Sequence, residues 1–306
     1  MRLVFAGTPA AAVPTLRRLA TSHDIAAVVT RPDAPLGRKR VLTPSPVAQA
    51  AEELGLPVIK TARLDDAATA EITKLEAELG VIVAYGGLVR EPLLSAPASG
   101  WINLHFSLLP AWRGAAPVQR ALIAGDRVLG ASVFQLVPEL DAGDVFARQE
   151  IDVPATATAG EALEVLAREG AELTAEVVSA IADGTARAVP QEGEPWFAAK
   201  LTLPDGLLEW NQPVEQVFAR FRGVTPEPGA HTTIAGQPFK VLEALPAVEA
   251  EPLAPGRIRG TKSALHIGTA TTPLAVTRVQ PAGKGAMNAV DWWRGQRGED
   301  ELQAGS

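Results

Sequence analysis

Residues 2–16 read RLVFAGTPAAAVPTL. Arg2–Gly7 is an apolar run closed by glycine, and a helical pattern follows from about Pro14 to Ala20. An apolar run this short, bounded by a turn signal, reads as a buried strand. The unit is therefore strand, tight turn, helix. It recurs along the chain. Ile25–Thr30, Val58–Lys60, Val81–Gly86 and Trp101–Phe106 are β-type runs, separated by helical patterns at Pro46–Leu54, Ala67–Leu79 and Ala116–Ala124. Strands that alternate with helices imply a parallel sheet covered by helices on both faces. The expected class is α/β, a Rossmann-like, mostly parallel open sheet. Two further strands, Ala131–Val137 and Val145–Val153, are expected to run antiparallel, and a helix is expected over Ala159–Ala182.

The texture then changes. Gly184–Pro204 is rich in Pro, Gly and charge and has little periodicity, so it reads as a linker. Beyond it lie a helix at Val214–Phe221 and five short β runs, Thr232–Ile234, Phe239–Leu242, Gly256–Gly260, Ala264–Ile267 and Leu274–Gln280. That density of short strands predicts a small β-barrel or sandwich. The expected division is 1–183, a linker at 184–206, and 207–306.

A chain of 306 residues, 47% hydrophobic and 21% charged, has ordinary globular composition and room for about two domains. It has no cysteine, which excludes disulfides, thiolate nucleophiles and Cys-ligated metals. The N-terminus lacks the apolar core of a signal peptide, and no window holds 18 uninterrupted apolar residues, so the expected compartment is the cytoplasm. The net charge of −7 argues at first against a polyanion partner. It comes wholly from the first 206 residues, with 18 Lys/Arg against 25 Asp/Glu; the last hundred are balanced at 10 each. Local clusters therefore decide the matter.

Four stretches carry candidate chemistry. Gly7-Thr8-Pro9 is either an anion-binding helix start or a plain turn in which Thr8 caps the helix. It is not the glycine fingerprint of a dinucleotide site. Arg31–Pro46 is a connection far longer than the usual 2–6 residues. With Arg38, Lys39 and Arg40 it is either a polyanion contact or a solvated loop. Tyr85-Gly86-Gly87 ends a strand where a ligand could approach the backbone, or simply turns. In INLHFSLLPAWRGAAPVQ, Ile102–Gln119, the strand period of two puts Asn103 and His105 on one face. They form either a hydrogen-bonded polar pair or part of a site. Pro138–Asp144, PELDAGD, returns a carboxylate toward the same sheet edge. Asn, His and Asp with no Cys and no Ser–His hydrogen-bonding motif suit acyl transfer with no covalent enzyme intermediate. The amide would stabilise an oxyanion and the imidazole would move protons. One His and one carboxylate make a poor metal site.

The combination of N-x-H, SLLP-x-x-R-G-A-x-P and LD-x-G-D is similar to the folate-dependent formyltransferases. TPSPV after the basic loop and QPAGKGAMNAVDWW near the C-terminus resemble the methionyl-tRNA formyltransferases among them, nearly end to end. The resemblance implies transfer of a formyl group from 10-formyltetrahydrofolate, as co-substrate and without a metal, to the α-amine of initiator Met-tRNA. It implies catalytic roles for Asn103, His105 and Asp141, with Asp144 the weaker candidate carboxylate. Ser107, Leu108, Leu109 and Pro110 would wall the folate site. Arg38, Lys39 and Arg40 would meet the tRNA acceptor end, and Arg278 and Lys284 would contact phosphates from an OB-like C-terminal domain. A monomer with no membrane association is implied. Asp141 is expected to orient His105 and raise its pKa, so that imidazolium is available. Phe106, Gly87, Arg90 and Glu227 depart from the family pattern. The neighbouring alternatives are a formyltransferase acting on a sugar-nucleotide amine and, less well matched in domain plan, a glycinamide ribonucleotide formyltransferase. Outside that chemistry stands a nucleic-acid-binding module with an inactive catalytic domain.

Overall fold

The computed structural model describes residues 1–37, 40–296 and 302–305. Its strands are β1 (Arg2–Gly7), β2 (Asp24–Thr30), β3 (Ala34–Leu36), β4 (Val41–Thr43), β5 (Val58–Lys60), β6 (Leu79–Val83), β7 (Trp101–His105), β8 (Arg113–Gly114), β9 (Leu129–Gln135), β10 (Val145–Ile151), β11 (Phe197–Ala198), β12 (His231–Ile234), β13 (Gln237–Pro246), β14 (Ile258–Gly260), β15 (Leu265–Ile267), β16 (Leu274–Pro281) and β17 (Met287–Asn288). Its α-helices are α1 (Val13–Ala20), α2 (Pro46–Glu53), α3 (Asp66–Thr73), α4 (Pro117–Ala124), α5 (Ala159–Ala182), α6 (Val214–Gly223) and α7 (Ala289–Arg294).

The chain divides into two compact units. One comprises residues 1–117, 128–152 and 163–198; the other comprises 118–127, 153–162 and 199–306. In the first, seven strands run in the order β10-β9-β7-β6-β1-β2-β5. The five from β7 to β5 are parallel, and β9 and β10 are antiparallel to their neighbours, as expected. The chain moves outward from β1 through β2 to β5, then crosses back to β6 on the other side. Such a switch leaves a crevice at the carboxyl ends of the central strands. Alternation along the strands separates the two faces. Val4, Ala6, Ile82 and Trp101 pack with Ile72 of α3 and with Tyr85, Val89 and Leu93 of the loop after β6. On the other face Gly170 of α5 comes against Leu104, where a Cβ would sit 3.1 Å from the leucine methyls.

Several local expectations are corrected. Thr8 caps no helix: a 3-10 turn, Ala10–Ala12, precedes α1, and the Thr8 hydroxyl donates instead to the Tyr85 carbonyl at 3.4 Å. The helix expected to reach Leu79 stops at Thr73: the chain turns at Glu76, with φ of 51°, and Leu79 opens β6. The long connection 31–46 contains a hairpin, β3–β4. Ser45 caps α2, accepting from the Ala48 amide at 3.0 Å with Pro46 at the helix start. Within 184–206, Val189 bridges to Val145, β11 pairs with β8, and Leu203–Gly206 forms a 3-10 turn.

In the second unit an antiparallel sheet, β12-β13-β16-β15-β14 with β17 beside β16, curls into half a barrel. Its core joins Phe221 of α6 and Trp292 of α7 to Trp210, Phe239, Val241, Leu265 and Val276. The buried Trp210 indole donates to the Thr232 hydroxyl at 3.0 Å, so the ring's one polar atom is satisfied. No helix among the described residues is long and apolar enough to cross a membrane.

Candidate active site

Asn103 and His105 share the face of β7 that also carries Trp101. Trp101 is fully buried and anchored by its indole N–H, which donates to the Leu93 carbonyl at 2.8 Å. Gly80 of β6 makes room for that indole, since a Cβ there would lie 2.1 Å from the ring. The polar pair thus emerges from a rigid, packed strand, where the parallel part of the sheet ends.

His105 is 6% exposed and has Phe134 edge-on at 6.3 Å. Its Nε2 lies 2.8 Å from the Trp112 carbonyl oxygen. A carbonyl only accepts, so Nε2 carries the proton and, in the neutral ring, Nδ1 holds the lone pair. The Asp141 Oδ2 stands 3.9 Å from Nδ1, an ion-pair distance too long for a hydrogen bond. Asp141 is itself held: its Oδ2 accepts from the Gly114 amide at 2.7 Å, and its backbone sits in the left-handed region with φ of 47°. Asp144, three residues on, is exposed, so of the two carboxylates only Asp141 reaches the imidazole.

Asn103 is half-buried, and its side-chain oxygen is buried with no hydrogen-bonding partner in the protein. Leaving such an atom unpaired costs about 1–3 kcal/mol. A substrate hydrogen-bonding group seated against it would recover that cost.

The charge state of His105 corrects the expectation. Burial pushes its pKa below the ordinary histidine value; the Asp141 carboxylate and the bond to the Trp112 carbonyl push the other way but are outweighed. The resting imidazole is neutral. The folded protein therefore refuses a proton that the unfolded chain takes up as pH falls through about 6.5. Stability is full above that pH and declines as pH drops toward the lower folded value, by at most about 1.4 kcal/mol per pH unit for one histidine. His23 and His266 are shifted in the same direction by burial. Urea midpoints between pH 7.5 and 5.5 should therefore fall, and His105→Gln should fall less steeply. Equal slopes would contradict the neutral buried imidazole.

Ser107–Pro110 folds into a fixed turn. The Ser132 hydroxyl, fully buried on β9, donates to the Ser107 carbonyl at 2.7 Å and accepts from the Leu109 amide at 3.1 Å. Ser107 donates to the Ala111 carbonyl at 2.5 Å, and Arg148 donates to the Leu109 carbonyl at 2.8 Å. Leu109 is buried, while Leu108 and Pro110 are half-buried. On the Asp141 loop, a cavity of about 460 Å³ is lined by Gln135, Val137, Glu139, Ala142, Gly143, Asp144 and Ala188. Gly87 is explained by Tyr85, whose ring would lie 2.5 Å from a Cβ at that position. Phe106 is buried, and no specific contact accounts for it.

Arg40 is exposed at the tip of the β3–β4 hairpin, beside exposed Leu36, Val41 and Leu42; Arg38 and Lys39 lie outside the described residues. Arg278 is exposed on β16 and paired with Glu243 of β13 at 3.2 Å. Lys284 is exposed in the turn before β17. Among the described residues no group of three or more His, Asp or Glu could hold a metal ion.

Residues 1–178 match the Formyl transferase family model, and residues 200–297 match the Formyl transferase, C-terminal domain, model. The chain is 60% identical to the methionyl-tRNA formyltransferase of Clavibacter sepedonicus over 99% of both chains. It is 59% identical to that of Leifsonia xyli, over 99% of this chain and 100% of the other. The fold matches the crystal structure of an N-formyltransferase from Helicobacter canadensis in complex with folinic acid and dTDP-3-aminofucose (TM-score 0.69, 15% identity, 91% of this chain and 98% of that one). With both family models matched and identity near 60% from end to end, the chain belongs to the methionyl-tRNA formyltransferase family.

Proposed function

We propose that this chain transfers the formyl group of 10-formyltetrahydrofolate to the α-amine of methionyl initiator tRNA, as a cytoplasmic monomer. The observation that carries the reading is the convergence on one sheet edge of a half-buried Asn103, whose side-chain oxygen has no partner in the protein, and a buried His105 with Asp141 3.9 Å away. The relatives at 59–60% identity support tRNA-borne methionine as the acceptor.

The chemistry follows from the resting state. The free amine attacks the formyl carbon, and the carbonyl electrons move to oxygen. The Asn103 amide donates to that oxyanion, a contribution of about 10²–10³ in rate. The neutral His105 takes the proton released by the amine. The resulting imidazolium is stabilised by Asp141, since an opposite charge within about 4–6 Å favours the charged form. His105 then returns the proton to N10 as the carbon–nitrogen bond to the folate breaks. Asp141 thus acts on the transient cation rather than on the resting ring. Ser107–Pro110 and the cavity on the Asp141 loop, of a size that suits a drug-sized ligand, are assigned to the folate.

Purified protein with 10-formyltetrahydrofolate and, in separate reactions, Met-tRNA, an amino-sugar nucleotide or glycinamide ribonucleotide tests the reading. Formyl should appear on Met-tRNA. Formyl on the sugar amine alone would replace this reading with the sugar-nucleotide one.

The β3–β4 hairpin is assigned to the acceptor end, and 207–306 to the body of the tRNA, with Arg278 and Lys284 as phosphate contacts. Arg278 would have to exchange Glu243 for a phosphate. Replacing Arg38, Lys39 and Arg40 together by alanine should raise the KM for Met-tRNA about ten-fold at 0.15 M salt. It should also flatten the dependence of log KM on log salt by about 0.7–0.9 for each phosphate no longer neutralised, while the KM for folate stays within two-fold. An unchanged tRNA KM and salt slope would remove the hairpin from the tRNA interface.

A further inference from the structure

The Asp141 loop does not hold itself. Its residue 141 lies at positive φ, where a non-glycine backbone costs about 1–2 kcal/mol, and its neighbours 138–140 are exposed. Its backbone at 141 and 143 is restrained by residue 191, fifty positions after Asp141. The Gln191 Nε2 donates to the Asp141 carbonyl at 2.8 Å and to the Gly143 carbonyl at 2.8 Å. Its Oε1 accepts from Arg113 Nε at 3.1 Å and from Nη2 at 2.7 Å. The partners force this amide orientation, because carbonyls only accept and a guanidinium only donates. All four bonds would be lost in a flipped rotamer.

The segment that carries Gln191 is fastened on both sides. Val189 exchanges backbone hydrogen bonds with Val145 at 2.8 and 3.0 Å. Further on, the Trp196 carbonyl accepts from the Arg113 amide at 2.8 Å, its ring meets Trp112 edge-on at 5.5 Å, and β11 pairs with β8. Arg113 and Gly114 are thus tied from two directions. Gly114 is the residue whose amide holds the Asp141 carboxylate, and Trp112 supplies the carbonyl that holds the His105 ring. One glutamine side chain therefore joins the two loops that place Asp141 against His105.

Building on the reaction assigned above, we propose that Gln191 is a positioning residue for formyl transfer. It fixes the distance between Asp141 and His105 by tying the Asp141 loop to Arg113, and it touches neither substrate. Its effect should fall on kcat, because the carboxylate matters most when the imidazole is charged, in the transition state.

The test is a double-mutant cycle on the full-length protein, with Met-tRNA and 10-formyltetrahydrofolate both varied. Gln191→Met, of similar length and without hydrogen bonds, should lower kcat at least ten-fold and leave both KM values within two-fold. Gln191→Glu keeps the bonds from Arg113 but loses both donors to the loop. It should fall nearly as far, and it carries the test if the methionine variant does not fold. In an Asp141→Asn background, Gln191→Met should cost less than three-fold, since the group it positions is already disabled. A kcat within two-fold of wild type for either folded variant overturns the proposal. So does a fall in kcat that is undiminished in the Asp141→Asn background. Wild-type protein assayed alongside separates the two claims: no formylation of Met-tRNA by wild type means that the proposed function fails, not Gln191.

Discussion

His105→Ala is expected to lower kcat by about 10²–10⁴, and Asn103→Ala by about 10²–10³, with Met-tRNA binding within two-fold of wild type. The two losses have different origins. Alanine at 105 removes the imidazole assigned to take the amine's proton and hand it to the departing folate nitrogen. Alanine at 103 removes the amide that meets the oxyanion. It also removes a buried, unpaired oxygen, so the variant should be at least as stable as wild type while activity falls. That opposition distinguishes a functional amide from a structural one. A hydrogen-bonded structural pair would lose stability and activity together. Steady-state kinetics and thermal melts on the same preparations decide it. Wild-type turnover in either variant would remove that residue from the chemistry.

The second large effect is expected at a residue with no side chain. A Cβ on Gly143 would lie 1.8 Å from the Gln135 carbonyl oxygen, more than an ångström inside the 3.0 Å that real Cβ atoms respect. Both sides of the clash are backbone. Gln135 terminates β9, and its amide donates to the Asp144 carbonyl at 2.8 Å, so the strand end and the loop are stitched together here. Gly143→Ala must push the loop off the strand. It should carry Asp141 away from His105 and break the bonds from Gln191. A misplacement of about 1 Å costs on the order of 10² in rate. Gly143→Ala should therefore lose kcat at least a hundred-fold, while the second unit, which does not contain it, keeps its near-UV signal from Trp210 and Trp292. Activity within a few-fold of wild type would show that the loop's position is not critical.

The sequence displays the sheet through its apolar runs and the switch through the order of strands and helices. The period of two places Asn103 and His105 on one face, and the face is the one that carries Trp101. The LD-x-G-D stretch supplies two carboxylates, of which the structure places Asp141, half-buried, beside the imidazole and exposes Asp144. What composition does not show is pairing across distance. Ser132 in a strand and Gln191 in a Pro/Gly-rich stretch are ordinary polar residues until the fold brings each to two backbone partners. The direction of the His105 shift escapes the sequence for a similar reason. Asp141 does favour the cation, but the weight of burial on the other side depends on Phe134 and the packed strand end, which no spacing reveals. The end of α3 escapes it because Leu75 and Leu79 fit a helical period as well as a strand start, and tertiary packing arbitrates.

The central claim is direct transfer: an amine on one substrate takes the formyl carbon from the other, with the protein contributing only hydrogen bonds and protons. The chain has no cysteine, and the Ser107 hydroxyl beside the site is occupied with the Ala111 carbonyl at 2.5 Å. The direct test is a single turnover with protein in excess over 10-formyltetrahydrofolate carrying a labelled formyl group. Acid quenching over the full time course should find label only in the folate and, as formyl-methionine, on the tRNA. Label on the protein that appears and decays at a rate matching product formation would contradict the account, because it would mean a formyl-enzyme, on the His105 imidazole or a carboxylate, in place of direct attack by the amine.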